Sequence, residues 1–138
     1  MRFMIIVKSS PEIETRSGVV ADDQVFAAMA DYHEELARAG ALLDASGLQP
    51  TVRGWRVRYA GGRRQLIDGP FAESKELVAG YTIIQARSRE EAREWTRRFP
   101  NPAGEGQDAE IEVRQLFEID EFPPDDATDR FRQMGMGG

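Results

Sequence analysis

Apolar positions are not spread evenly along this chain. The first run, Arg2 to Lys8 (RFMIIVK), is short and stops at Ser9-Ser10-Pro11, the form expected of a central strand. Residues 9–21 are polar and show no period, so a loop is predicted there. Beyond it the spacing becomes helical. Val25, Phe26, Met29, Tyr32, His33, Leu36 and Ala37 fall on one face, while Glu34, Glu35 and Arg38 point away. Asp22 or Asp23 can cap this helix and Gly40 can stop it. His33 therefore lies in or beside the apolar stripe.

Ala41 to Leu48 reads as a second extended segment, ended by Gln49-Pro50. Trp55, Val57 and Tyr59 then alternate with Arg56 and Arg58, Gly61-Gly62 supplies a turn, and Arg64 to Asp68 returns, which together predict a hairpin. Val78 to Ala86 is the next strand. Ser88-Arg89-Glu90-Glu91 has the pattern of a capping box, with Glu91 reaching back to Ser88. The helix it opens turns Ala92, Trp95 and Phe99 inward and ends at Pro100. Glu110 to Ile119 alternates, with Ile111, Val113, Phe117 and Ile119 on one side and Glu110, Glu112, Arg114 and Glu118 on the other, as a half-buried strand does. From Glu121 onward turn formers and charge dominate, so residues 121–138 read as a C-terminal tail after a single domain of residues 1–120.

The predicted order is β-α-β, an inserted hairpin, then β-α-β. Two helices on one face of a mainly antiparallel sheet make an α+β, ferredoxin-like sandwich. Its other sheet face needs a cover. A homodimer that pairs two such faces, the dimeric α/β-barrel arrangement, is the simplest one.

Composition narrows the function classes. The chain has 138 residues, enough for one domain with its own core. It has no cysteine, which removes disulfides and thiolate chemistry. No apolar run approaches the roughly 20 residues of a membrane span, and RFMIIVK is too short for a signal sequence, so a cytoplasmic protein is expected. The net charge of −6 and pI of about 4.9 argue against a nucleic-acid partner. One histidine and no cysteine make a zinc site unexpected, while a His-plus-carboxylate site for another cation stays open. There is no phosphate loop, no GxGxxG and no serine in a nucleophile-elbow setting, so no cofactor is expected.

Candidate chemistry gathers at a few positions. His33 is the lone histidine, and imidazole suits proton transfer at neutral pH; an inert, hydrogen-bonded histidine at the core edge would show the same pattern. Asp68 opens the stretch DGPFAESKELVAGY, either as an acid or as a turn starter. Gly69 and Pro70 suit a rigid corner, and Phe71 can plug the core. Glu73, Lys75 and Glu76 either line a cleft mouth or are solvated, and Lys75 can hold an anionic group as a point charge. Tyr32 and Tyr81 offer hydroxyls. The hairpin arginines form either an anion or partner site or a guarded strand edge.

Asp68-Gly69-Pro70-Phe71, followed by Ala72-Glu73-Ser74-Lys75-Glu76 and Gly80-Tyr81, resembles the signature of the DGPF branch of the YciI-like (YCII-related) family, over about residues 1 to 120. The resemblance implies a dimeric ferredoxin-like fold with a cleft between sheet and helices that is often proposed as an active site. In the YciI branch the suspected pair is a His on the first helix and an Asp just before a Pro after the second. His33 matches the first position. The second holds Phe99, before Pro100, so Asp68 is the obvious substitute. At least one YciI-like relative performs dehydrochlorination of a chlorinated hydroxyquinol, and DGPF relatives are often encoded beside extracytoplasmic-function sigma factors. Two functional readings follow. In one, a small-molecule-binding protein or small enzyme uses His33 and Asp68 as its acid–base pair, with Tyr32, Phe71, Glu73, Lys75 and Tyr81 around an anionic or phenolic ligand. In the other, a non-catalytic dimeric accessory or regulatory module acts through its surface, with a link to sigma-factor control.

Overall fold

The computed structural model describes residues 1–14, 23–73 and 76–137. In chain order the elements are β1 (Arg2–Lys8), α1 (Pro11–Glu14), α2 (Asp23–Arg38), β2 (Leu42–Gly47), β3 (Trp55–Ala60), β4 (Arg63–Asp68), β5 (Val78–Gln85), α3 (Arg89–Arg97), β6 (Ile111–Gln115) and α4 (Asp126–Gln133). Short 3-10 turns lie at Thr51–Arg53 and Ile119–Glu121. The strands form a four-stranded sheet in the order β2-β5-β1-β6 and a separate two-stranded sheet, β3-β4. Every neighbouring pair is antiparallel. This is the α+β, ferredoxin-like arrangement that the element order predicts.

The most apolar run, β1, takes a central place in the sheet, between β5 and β6. Its register with β5 sets Phe3 against Ile84, Ile5 against Thr82 and Val7 against Gly80. Directly paired residues share a face, and this face carries the core. Phe3, Ile5 and Ile84 pack with Tyr32 and Leu36 of α2 and Ala92 of α3. The opposite face carries Met4 against Ile83 and Ile6 against Tyr81, all half-buried. Helix α2 forms because its apolar stripe can be buried here, yet Phe26 on that stripe stays 66% exposed. It borders a cleft instead of closing it.

Four local features differ from their sequence patterns, the first being that the stretch read as a loop holds the one-turn helix α1 (Pro11–Glu14). Ser88 does cap α3, accepting from the Glu91 backbone N–H at 3.1 Å. The Glu91 carboxylate, however, accepts from the Arg87 N–H and guanidinium, one residue short of the predicted reciprocal bond. Strand β6 stops at Gln115 rather than running to Ile119. Its partner β1 begins at Arg2, whose carbonyl accepts from the Leu116 N–H, so no ladder remains for Phe117 to join. The predicted tail holds α4, capped by the Asp125 carboxylate accepting from the Thr128 N–H. Eight residues are too few for helical period to declare itself. The segment folds back so that the Ile119 N–H donates to the Gly137 carbonyl at 3.0 Å. Among the described residues, no helix is long and apolar enough to cross a membrane.

Candidate functional site

A cleft of about 410 Å³ opens between α2 and the ends of β2 and β5. Phe26, Met29 and His33 form its helix wall, and Val7, Thr82 and Phe99 complete it at depth. The floor is low because Gly47 and Gly80 face each other in register. A Cβ on Gly80 would stand 3.0 Å from the Ser46 carbonyl oxygen, so strand β2 approaches closely only because that side chain is missing. Two other hollows, of about 580 and 490 Å³, lie around Lys8–Ser10 with Asp108–Glu110 and around Gln24–Val25 with Asn101–Glu105. Neither contains His33.

His33 is held at both ring nitrogens. Nδ1 lies 2.6 Å from the Met29 carbonyl oxygen, one helical turn back. A carbonyl only accepts, so Nδ1 carries the proton. Nε2 lies 2.8 Å from the Thr82 hydroxyl oxygen, and in the neutral ring it accepts from that hydroxyl. Thr82 is buried on the core-facing side of β5. Sequence reasoning missed it. The available signal was its place two residues before the core residue Ile84: a buried hydroxyl needs a partner, and α2 holds the lone histidine. Edge-on contacts from the Tyr32 and Phe99 rings, with centroids 5.6 and 6.2 Å from the imidazole, restrict its orientation further.

The other candidate residues are distributed elsewhere. Asp68 sits exposed at the end of β4, in register with Trp55 on the two-stranded sheet. Among the described residues no hydrogen bond or ion pair joins it to His33, whose two nitrogens are already engaged. Tyr32 is 5% exposed, and its hydroxyl donates to the Trp95 carbonyl at 2.7 Å, tying α2 to α3. Burial pushes this phenol up to about 12, with Arg98 pulling it down and Glu35 pushing it up. Its hydroxyl therefore serves packing and not a ligand in the cleft. Tyr81 contributes to the cleft border, but its register with Ile6 places its ring on the opposite sheet face. There its hydroxyl donates to Asp44 at 3.2 Å. The Asp44 charge, then that hydrogen bond, then slight burial hold it above the ordinary phenol range. Lys75 lies outside the described residues.

The DGPF stretch builds a corner. The Gly69 N–H donates to the Gly54 carbonyl at 3.0 Å, and the Phe71 N–H donates to the Thr51 hydroxyl oxygen at 3.0 Å. That hydroxyl in turn donates to the Glu14 carboxylate, which also accepts from the Thr51 N–H. The Arg56 guanidinium lies 3.8 Å from the centre of the Phe71 ring and 3.4 Å from the Glu73 carboxylate. Phe71 and Glu73 are thus engaged with the hairpin and not with the cleft. The Gly69–Pro70 peptide is cis. Among the described residues no cluster of three or more His, Cys, Asp or Glu side chains could hold a metal ion.

Comparison with known proteins places this arrangement. An uncharacterised protein of Rhizobium meliloti (strain 1021) is 24% identical over 123 residues, which cover 89% of this chain and 99% of that relative. The YCII-related domain matches residues 1–119, the stretch that contains the whole four-stranded sheet, α2, α3, the cleft and the DGPF corner. The chain belongs to the YCII-related domain family.

Proposed function

We propose that this protein binds a small, largely apolar molecule with one acidic O–H group, phenolic or enolic, in the cleft beneath α2, and that its proton reaches His33 by relay, the ligand O–H donating to the Thr82 oxygen as the Thr82 hydroxyl proton passes to Nε2. One observation carries the reading. In a cleft walled mostly by Phe, Met, Ala and Gly, the fixed Nδ1–H leaves His33 Nε2 as the atom able to take up a proton. Thr82 suits both states of that atom. Its hydroxyl donates to the neutral ring and accepts from the protonated one, so the imidazole can cycle without reorienting. An apolar pocket with few placed polar groups is the usual form of a small-molecule site. In this reading the acid–base work rests on His33 and Thr82, while Asp68 belongs to the corner. The chain is assigned to the DGPF branch on its Asp68–Phe71 box and to the cytoplasm on its acidic, cysteine-free composition. Met4, Ile6 and Ile83 on the outer sheet face support a homodimer that covers them.

A non-catalytic accessory module is the second reading. It is favoured by the engagement of Phe71 and Glu73 in the corner, which leaves the DGPF signature without an evident ligand. Two-dimensional NMR separates the two. The lone histidine gives one set of ring nitrogen signals, expected to report the Nδ1–H tautomer. Titration with 4-chlorophenol and with catechol should shift the Nε2 signal together with the Met29 and Gly80 amides, and His33→Gln should remove binding or lower any turnover by about 10²–10⁴-fold. An Nε2–H tautomer, or phenols that leave these signals in place, would refute the acid–base site.

A further inference from the structure

Gly47 has no reason within the fold to be glycine. It is paired with Gly80 inside the β2–β5 ladder, whose register shift lies elsewhere, between Leu42 and Asp44. The ladder runs on past it, with the Leu48 N–H donating to the Ala79 carbonyl at 2.8 Å, so Gly47 does not make a turn. Its φ lies outside the left-handed region, and a Cβ built on it would meet nothing within 4 Å. Glycine inside a strand weakens it and marks a bulge, a bend, or a close approach by another backbone or a ligand. Gly80 answers to another backbone, since its Cβ would stand 3.0 Å from the Ser46 carbonyl oxygen and 3.3 Å from the Gly47 Cα. For Gly47 the ligand is what remains.

Register tells which way the missing side chains would point. Val7, Gly80 and Gly47 pair across three strands, and Ile5, Thr82 and Ala45 pair in the adjoining row. Directly paired residues share a face, and Thr82 meets His33, so both rows look towards α2. The outer row therefore carries a valine on β1, then bare backbone on β5 and β2. Phe26 and Met29 form the wall opposite. Among the described residues no Asp, Glu, Lys or Arg lines the cleft. The result is a flat, apolar slot, bounded by a side chain at its Val7 edge and bare at its Gly47 edge.

We infer that this slot takes a planar aromatic ring laid on the backbone of Gly80, with its O–H directed along β5 to Thr82, and that Gly47 admits a substituent on one edge of that ring, ortho or meta to the O–H. The reach fits. Gly80 and Thr82 are about 7 Å apart, two residues of antiparallel strand. A ring centred over Gly80 spans that with its C–O bond and one O–H···O bond of about 2.7 Å. Gly47 stands about 5 Å to the side, under one edge of the ring, while Val7 occupies the other. The ligand class is thus a flat phenol or enol that carries its substituent, or a fused second ring, on one edge only. The inference rests on the phenol-binding reading above and adds the residue that sets its selectivity.

Gly47→Ala tests it, because the new methyl group meets no atom and strains no backbone. Its urea midpoint should equal or exceed that of the wild type. Calorimetry gives Kd for 4-chlorophenol, substituted at the far end of the ring, and for 1-naphthol, whose second ring is fused across the ortho and meta positions. The wild type should bind both, and 1-naphthol should move the Gly47 and Gly80 Hα signals upfield through its ring current. Gly47→Ala should weaken 1-naphthol by about 10-fold or more, the scale of one misfitted methylene, and 4-chlorophenol by less than about 3-fold. Gly54→Ala, which does not line the cleft, should change neither. A wild type that binds neither compound overturns this inference and the acid–base reading together. Binding of 4-chlorophenol with the His33 Nε2 shift, but equal losses for the two ligands in Gly47→Ala or none at all, leaves the acid–base reading standing and overturns the glycine slot. So does a wild type that binds 4-chlorophenol and excludes 1-naphthol.

Discussion

Gly69 is the most constrained position of the DGPF corner, and replacing it with alanine tests whether the corner is structural. A Cβ built there would lie 1.9 Å from the Thr51 carbonyl oxygen and 2.7 Å from its carbon, where real Cβ contacts essentially never fall below 3.0 Å. Both atoms are backbone and cannot rotate away, so the corner must move by more than about 1 Å to relieve the contact. That movement breaks the Gly69–Gly54 and Phe71–Thr51 hydrogen bonds and lifts Phe71 from beneath Arg56. At about 1 kcal/mol for each hydrogen bond and about 0.5–1 kcal/mol for an exposed cation–π contact, Gly69→Ala should cost about 3 kcal/mol. Gly54→Ala is the control. Its nearest neighbour would be the Thr51 carbonyl oxygen at 3.6 Å, with φ at −118°, so a change within about 1 kcal/mol is expected. Urea titrations give the two stabilities, and amide exchange at Phe71 reports whether the loss is local. Equal urea midpoints for the two variants would refute the steric argument and the structural role of the box with it.

Tyr32 should make the protein sensitive to alkali. Its folded pKa of about 12 lies above the ordinary 10.0, so the fold favours the neutral phenol, and this contribution is present below about pH 10 and lost as pH rises towards 12. The amount is about 3 kcal/mol. Tyr32→Phe should cost about 1 kcal/mol at pH 7 through the lost bond to Trp95 yet flatten the decline measured between pH 10 and 12; an equally steep decline would show that other groups cause it. Asp44→Asn should bring the Tyr81 phenol back towards the ordinary range, read by ultraviolet titration in a Tyr32→Phe, Tyr59→Phe background, and an unmoved titration would disprove the Asp44 contact. Thr82→Val should leave the His33 Nδ1–H tautomer in place, because Met29 holds it, while shifting the Nε2 resonance; a switch to Nε2–H would mean that Thr82 sets the tautomer.

What the sequence determined by itself was local. The short apolar run RFMIIVK, the helical spacing from Val25 to Leu36, the Ser88 cap and the Gly61-Gly62 turn are each decided by neighbours a few residues apart. Gly61 and Gly62 adopt φ of +58° and +74°, as such a two-residue hairpin turn requires. The order of these elements then leaves few ways to stack two helices on one sheet. His33 was legible on the same basis, as the one histidine on the inward stripe.

Its partner was decided by tertiary structure alone. Thr82 stands 49 residues away, and only the pairing of β5 with β1 brings it under α2. The sequence offered Asp68 instead, but its strand pairs only with β3, outside the main sheet, and among the described residues no hydrogen bond or ion pair joins its carboxylate to the imidazole. The corner is a similar case. The Gly-Pro turn was visible, whereas the junction of Glu14, Thr51 and Phe71 joins three segments far apart in the chain. Tyr32 lost its hydroxyl to Trp95 only once α3 had packed beside α2. Strand β6 ended where β1 offered no further backbone partner, which left Phe117 exposed despite its alternation. Periodicity tells which side chains turn inward together; sheet register and helix docking decide which of them touch, because those depend on contacts between segments that the linear pattern does not relate.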